Sequence, residues 1–479
     1  MTEERLPGRA QDFNEWYNQL VLRSELADYA PVRGCMVVRP YGWALWENIQ
    51  QALDRRFKAT GHLNAGFPMF IPASFLEQEK EHVAGFAPEL AVVTIGGGET
   101  LPEPLVIRPT SETLIGHMYA KWIKSYRDLP LLLNLWNSAV RWEKRTKLFL
   151  RTTEFFWQEG HTAHATAEEA AVEARQMLDI YADFAVNEAA VPVIAGEKSQ
   201  SEKFAGAVRS YTIEAMMGDT RALQSGTSHD LGQNFSHAFD ITFTDADGEI
   251  KHVYTTSWGV SWRMLGAMIM VHGDDRGLRI PPKLAPIEAV FVPIVRGEDR
   301  RAIELARSLA AELKRAGMRV RVDEREQSPG WKYAEWEMRG VPVRIEIGPR
   351  DVDAAGVMLV RRDLERGDPE QKRSVAGDSL ERELRRTLDL VQASLLAQAQ
   401  SALEKRILRI TEREAFFEAA RSRAGLLDIA WCNRPECEAS MKAQCAATTR
   451  VLRPLDGSES SCVACGEPAK VRAYVAQSY

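Results

Sequence analysis

Residues 139–161, AVRWEKRTKLFLRTTEFFWQEGH, set charged side chains inside two runs that are otherwise apolar and aromatic. A strand turns alternate side chains to one face. In AVRWE that period puts Arg141 and Glu143 together, with Trp142 opposite. After the basic segment KRTK a second run offers Arg151, Glu154, Glu159 and His161 among Phe155, Phe156 and Trp157. Two such runs around a short polar segment predict a hairpin with a cationic tip. Taken alone, Arg141 and Glu143 read equally well as a surface ion pair. Charge is costly to bury unless paired or used, however, so two adjacent strands built this way point to a polar ligand lying across a sheet.

Working outward, the hairpin lies in an aromatic, strand-rich stretch that runs to about Pro282. TAEEAAVEARQMLDIYADFAVNEAA predicts a helix: Thr166 and Glu169 form a capping box, and Met177, Tyr181 and Phe184 recur at helical spacing as a core stripe. IKHVYTTSWGVSWRMLGAMIMVHGDD predicts a strand followed by an apolar helix, and the prolines of LRIPPKLAP mark a linker. Beyond it IEAVFVPI, MRVRVD, PVRIEIG and GVMLVRRD alternate with a helix, EDRRAIELARSLAAELKRAG, stopped by Gly317. That alternation predicts a small α/β domain with a parallel or mixed sheet. LERGDPEQKRSVAGD reads as a solvated loop, and Ser379 to about Ile410 as one or two helices. The expected domains are residues 1–283, 284–395 and 396–479.

A chain of 479 residues, 27% charged and 45% hydrophobic, suits a globular protein with two or three cores. Its net charge of -6 does not advertise a polyanion partner, but a nucleic-acid protein needs only a local basic face. MTEERLPGRA is charged where a secretory signal would be apolar, and no stretch reaches the roughly 18 apolar residues of a membrane span. A cytoplasmic protein with no membrane segment is expected, and its thiols should be reduced.

Six cysteines stand at 35, 432, 437, 445, 462 and 465. WCNRPEC and SCVACGEPAK carry C-x4-C and C-x2-C pairs, which fit a tetrahedral zinc site of Cys432, Cys437, Cys462 and Cys465. Four thiolates leave no position open for water, so such a zinc is structural. Cys445 could replace one ligand, and redox use of Cys462 with Cys465 is the alternative, although no thioredoxin-like unit surrounds them. Between Cys35 and Cys432 any metal would need His and carboxylate ligands.

Arg141 with Glu143, a loop, and Arg151 four residues before Phe155 resemble the second signature motif of class II aminoacyl-tRNA synthetases. TGHLNAGFPMFIP resembles the first motif, with Pro68 its proline, and TTSWGVSWRMLGAMI the third, with Arg263 its arginine. RPTSET, WQEGHT, EKFAGA, QSGTSHDLGQNF and TSWG together resemble prolyl-tRNA synthetases of the type found in archaea, eukaryotes and some bacteria. The threonyl enzymes' catalytic zinc uses a cysteine, and no cysteine lies within these motifs. The resemblance implies an α+β catalytic domain with a mostly antiparallel sheet, then an α/β anticodon-binding domain and a small α/β zinc-binding domain.

It also implies a reaction and its residues. L-proline is activated with ATP to prolyl-adenylate and pyrophosphate, then moved to the 3′ end of tRNA(Pro). Arg141 would bridge the proline carboxylate and the α-phosphate, with Arg151 and Arg263 on the outer phosphates. Phe155 would stack on adenine, and Glu143, Glu154, Gln224 and Thr227 are further ATP-binding candidates. Gln224 and Thr227 read otherwise as a capped loop. Mg2+ is expected, with Glu143 a candidate ligand. Thr110 and Glu112 would hold the ring nitrogen of proline. Trp157, Glu159, His161 and Phe204 would form walls, with His229 and Ser257 completing the floor; Trp157 as sheet core and the histidines as structural groups are the bland alternatives.

For the anticodon the candidates are Arg344, Glu346, Arg350 and Arg361, which a solvated strand end explains nearly as well. The resemblance further implies a homodimer and a C-terminal Tyr479 whose carboxylate approaches the active site. The segment from Thr162 to Leu223 leaves no room for the editing domain that some bacterial relatives insert there. A catalytically silent tRNA-binding paralogue and another amino-acid specificity are the rival readings.

Overall fold

The computed structural model describes residues 6–77, 90–295, 297–457 and 461–479. Leu131–Val140 pairs antiparallel with Glu154–His164, from Leu131 opposite Ala163 to Val140 opposite Glu154. The hairpin is the predicted one, but its first strand stops short of Arg141 and Glu143. Arg141 N still donates to Thr153 O at 2.8 Å. The chain then leaves the ladder and buries Leu148, Phe149 and Leu150. Each such burial is worth about 1.5–3 kcal/mol, against about 1 kcal/mol for a ladder hydrogen bond. The tip is therefore an anchored loop, with Tyr17 Oη donating to Leu148 O at 2.7 Å.

From the hairpin the sheet continues antiparallel through Tyr254–Ser261, Ala222–Gly232, Arg209–Met216 and Ile194–Glu197. Leu63–Asn64 joins its other edge in parallel. The helix Ala167–Asn187 crosses the back of this sheet behind the Thr166–Glu169 capping box, with Met177, Tyr181 and Phe184 buried. The front of the sheet is left for the site.

The second unit orders its strands as Val320–Val322, Ala289–Pro293, Val343–Ile347, Gly356–Arg361 and Lys372–Ala376. The first three are parallel and the rest antiparallel, giving a mixed sheet. Lys372–Ala376 falls in the segment read as a solvated loop; only Val375 of this edge strand is buried, so its polarity hid it. The expected linker is also packed, since Leu278, Ile280, Leu284 and Ala285 belong to the first core. A long helix, Leu380–Glu404, then leads to the third unit.

The third unit joins the central sheet. Ile407–Arg409, Leu426–Trp431, Val471–Ala476 and Thr448–Arg453 pair in that order, and Leu452 opposite Glu197 makes the connection, for eleven strands in all. A single residue pair is a slender seam. Beside it Arg450 grips Glu214 through Nε and Nη2 at 3.0–3.1 Å, both side chains buried.

Candidate functional site

The front of the sheet carries a cavity of about 310 Å³, within the range of small-molecule sites. Three arginines converge on it. Arg141 follows the first hairpin strand; its Nε donates to Pro109 O at 3.2 Å, and its guanidinium lies over the rings of Phe155 and Trp157 at 5.1 and 5.7 Å. Arg151 pairs with Glu143 at 2.6 Å. Arg263 opens the helix Arg263–His272, with Nε donating to Leu150 O at 2.9 Å. Burial, then the charges of Arg141 and Arg151, lower the pKa of Arg263 to about 10, so it stays charged at neutral pH. Cations held together this way suit an anionic ligand with several oxygens. Gln224 and Thr227 line the same end; Lys198, which the sequence reading missed, donates to Gln224 Oε1 at 2.7 Å.

The other end is acidic and walled by rings. Thr110 donates its hydroxyl to Glu112. Glu159 is buried and saturated by protein donors: Ser111 N at 3.2 Å, the Ser111 hydroxyl, Asn137 Nδ2 at 2.8 Å and His161 Nε2 at 3.0 Å. Burial pushes the Glu159 carboxyl up, but these bonds, His161 first, bring it below its ordinary value. Burial likewise depresses His161, yet Glu159 and Glu112 raise it overall. Trp157 is fixed by Nε1 to Asn137 Oδ1 at 2.7 Å. Phe204 stacks on His229 with centroids 4.8 Å apart, and Ser257 Oγ is buried with no hydrogen-bond partner among the described residues. Ser111 and Asn137 carry no chemistry of their own in the sequence; only contact with Glu159 marks them.

His229 is lowered to about 3 by burial, then by Lys198, and His272 to about 4 by burial. The unfolded chain therefore binds more protons below pH 6.5, so both histidines contribute stability that is complete above that pH and lost as it falls. Unfolding free energy should drop between pH 6.5 and about 4 at up to about 1.4 kcal/mol per pH unit per histidine. His161, raised, contributes fully in that window and does not mask the loss. Urea melts across it check this; a flat profile contradicts the burial of neutral His229.

Among the expected ATP- and proline-binding residues Glu154 alone does not line the cavity. It starts the second strand on the face opposite Phe155, Trp157, Glu159 and His161, a matter of strand parity. The anticodon candidates are distributed differently from a strand end. Arg344 and Glu346 share a buried strand face and pair at 2.9 Å. Arg344 also lies 4.0 Å from the Tyr333 ring and 3.3 Å from Glu337. Arg361 pairs with Asp363 at 2.7 Å, whereas Arg350 is exposed on the short helix Pro349–Asp353.

Cys432, Cys437, Cys462 and Cys465 bring their sulfurs within 4.8 Å of one another, an arrangement able to hold a metal ion. Cys437 to Cys462 is 3.9 Å and Cys465 to Cys432 is 3.7 Å. Cys445 stands apart, with Sγ donating to Met441 O at 3.0 Å. Tyr479 donates its backbone N–H to Ala222 O at 3.1 Å and its hydroxyl to Asp219 at 2.7 Å, and Lys147 of the hairpin loop lies 5.0 Å over its ring. The chain end thus packs between the residues leading into the strand Ala222–Gly232 and the hairpin loop that carries Arg141 and Arg151.

Residues 99–272 match the tRNA synthetase class II core domain (G, H, P, S and T). Residues 288–387 match the anticodon binding domain, and residues 414–479 the prolyl-tRNA synthetase C-terminal domain. The chain is 50% identical over 460 residues to a proline--tRNA ligase of Natranaerobius thermophilus, covering 96% of this chain and 94% of that one. It is 50% identical over 481 residues to the chloroplastic/mitochondrial proline--tRNA ligase of Arabidopsis thaliana, covering 98% and 88%. A crystal structure of prolyl-tRNA synthetase from Cryptosporidium parvum, complexed with halofuginone and AMPPNP, superposes with TM-score 0.94 at 37% identity, covering 99% of each chain. Matched in all three parts and by relatives of half identity over nearly its whole length, the chain belongs to the prolyl-tRNA synthetase family.

Proposed function

We propose that this protein joins L-proline to tRNA(Pro) in two steps, both on the front of the central sheet. The observation that carries the reading is the meeting of three arginines with an acidic, ring-walled pocket in one cavity. A proline carboxylate oxygen attacks the α-phosphorus of ATP, the bond to the β-phosphate breaks, and pyrophosphate leaves. The terminal ribose hydroxyl of the tRNA then attacks the carbonyl carbon, and AMP departs. Arg141, which lines the cavity, holds the proline carboxylate and the α-phosphate together in this reading, aligning the attack and stabilising the charge that develops. Arg151 and Arg263 hold the outer phosphates, and Phe155 stacks on the adenine.

In the amino-acid pocket Glu112 and Thr110 take the secondary ammonium. Glu112, Glu159 and His161 could also hold a metal ion. However, His161 Nε2 already meets Glu159 at 3.0 Å, so the two side chains are engaged with each other. We therefore read Glu159 and His161 as a strut that shapes the pocket, with Glu112 as the carboxylate for the ligand. Mg2+ bound with the nucleotide would supply neutralisation of charge on the leaving pyrophosphate. Glu143 is the carboxylate that would hold it, beside Arg151.

The four-cysteine cluster fits zinc. Zn–S bonds of about 2.3 Å give a tetrahedron with edges of about 3.8 Å, which matches the sulfur separations of 3.7 and 3.9 Å. A homodimer and a cytoplasmic location belong to the same reading. The exposed apolar residues Leu63, Met69 and Phe70 beside Pro68 support the former, and no helix among the described residues is long and apolar enough to cross a membrane. The three units are proposed at about residues 1–283, 284–395 and 396–479, with Leu284 and Ala285 packed on the first core and the second boundary lying inside the helix Leu380–Glu404.

Pyrophosphate exchange across the standard amino acids tests the assignment. Proline should be activated best and alanine measurably, because a missing methylene or two costs only about 1–3 kcal/mol of discrimination. The segment between the second and third motifs is occupied by the helix Ala167–Asn187, three strands of the central sheet, the short helix Asn234–Ala238 and the strand pair Thr242–Thr244 with Ile250–His252, so alanyl-tRNA should not be hydrolysed in cis. Exchange with no amino acid would leave the silent tRNA-binding reading. For the anticodon end, Arg350→Glu should weaken tRNA charging and leave adenylate formation intact; equal loss of both would remove Arg350 from that role.

A further inference from the structure

The loop between the strands Ile194–Glu197 and Arg209–Met216 forms one side of the cavity, and Lys198, Glu202 and Phe204 face it. Its inner anchor belongs to neither strand. Ser199, 2% exposed, donates its hydroxyl to Glu438 Oε2 at 2.7 Å across 239 residues of chain. The same Ser199 Oγ accepts from Glu202 N at 3.2 Å. Glu438 is equally buried, on the third unit's helix Pro435–Cys445, and its Oε1 accepts from Thr449 N at 2.9 Å and from the Thr449 hydroxyl. At the other end of the loop Phe204 N donates to Ser210 Oγ at 2.9 Å, and the Phe204 ring stacks on His229.

A carboxylate is expensive to bury, and a neutral acceptor could satisfy Thr449 alone. What the carboxylate adds is a charge-assisted bond to a hydroxyl of another unit, at the first turn of a loop that touches the ligand cavity. Arg450, on the next strand of the third unit, lies 3.8 Å from Glu202 and reinforces the same turn.

We propose that Glu438 is a positioning residue for the amino-acid pocket: through Ser199 it holds the turn at Ser199–Glu202 so that Phe204 stays against His229 and closes the pocket on proline. The third unit then contributes to amino-acid binding without touching the amino acid. The inference rests on proline occupying this pocket.

The full-length Ser199→Ala variant cuts the contact and leaves the Glu438–Thr449 bonds in place. Its KM for proline in pyrophosphate exchange should rise about tenfold, the scale of a lost hydrogen bond to a charged group. Its kcat and its KM for ATP should stay within about twofold. Amide exchange should lose protection at residues 199–208 and keep it at 448–453. Glu438→Gln retains a neutral hydrogen bond to Ser199 and should raise the proline KM less. Glu112→Gln, within the pocket, serves as reference. If it raises the proline KM while Ser199→Ala does not, the positioning role is overturned and the pocket stands; if neither changes it, the pocket assignment fails. A Ser199→Ala variant that loses kcat and both KM values alike would make Ser199 merely structural and also overturn the proposal.

Discussion

Replacing Arg141 by lysine should lower kcat/KM for proline-dependent pyrophosphate exchange by about 10²–10³, or about 2.7–4 kcal/mol of transition-state stabilisation. Lysine keeps the charge but loses the planar fork that can hold a carboxylate and a phosphate together. In the folded protein the Arg141 Nε donates to Pro109 O and the guanidinium lies over two rings. Lysine keeps the charge and an aliphatic stem beside these rings, so the thermal midpoint should shift little. Steady-state exchange kinetics beside a thermal melt separate the two effects. A variant within tenfold of the parent, or one that merely unfolds, would remove Arg141 from the reacting centre.

Stripping metal from the four-cysteine site, or making Cys462→Ser, should unfold the third unit rather than loosen it. Structural zinc contributes on the order of 10 kcal/mol to small domains of this kind, and the site ties strand Leu426–Trp431, helix Pro435–Cys445 and the turn before Val471–Ala476. Amide protection at residues 426–476 should go first. Because Arg450 and Glu438 reach Glu214 and Ser199 from this unit, a rise in proline KM should follow. The first unit, with its own aromatic core, should keep its protection. Adenylate formation that stops at once while the third unit stays protected would mean the metal is not structural.

Much of the site was legible because its chemistry is written in residue types at short spacing. Arg141, Glu143 and Arg151 line one cavity although the strand meant to carry the first two ends at Val140, because such residues need only converge, not share a ladder. Glu154 shows the limit of the same reasoning: one step of parity moves a side chain to the opposite face. Arg344 and Glu346 read as ligands for a base, yet the buried strand face pairs them with each other. Ser111, Asn137 and Ser199 are ordinary polar residues until a buried carboxylate from elsewhere in the chain meets them.

The sequence by itself determined what depends on local periodicity and spacing: the hairpin, the capped helix behind it, the arginines of the second and third motifs, and the paired cysteines. Local pattern sets which face of a strand is apolar and which residues lie within a few positions of each other. Tertiary structure alone decided that the C-terminal strands extend the central sheet, and which charged side chains hold one another and which remain for a ligand. Strand edges and buried carboxylates find partners by proximity in space, and Ser199 and Glu438, 239 residues apart, carry no sign of each other until the fold brings them to 2.7 Å.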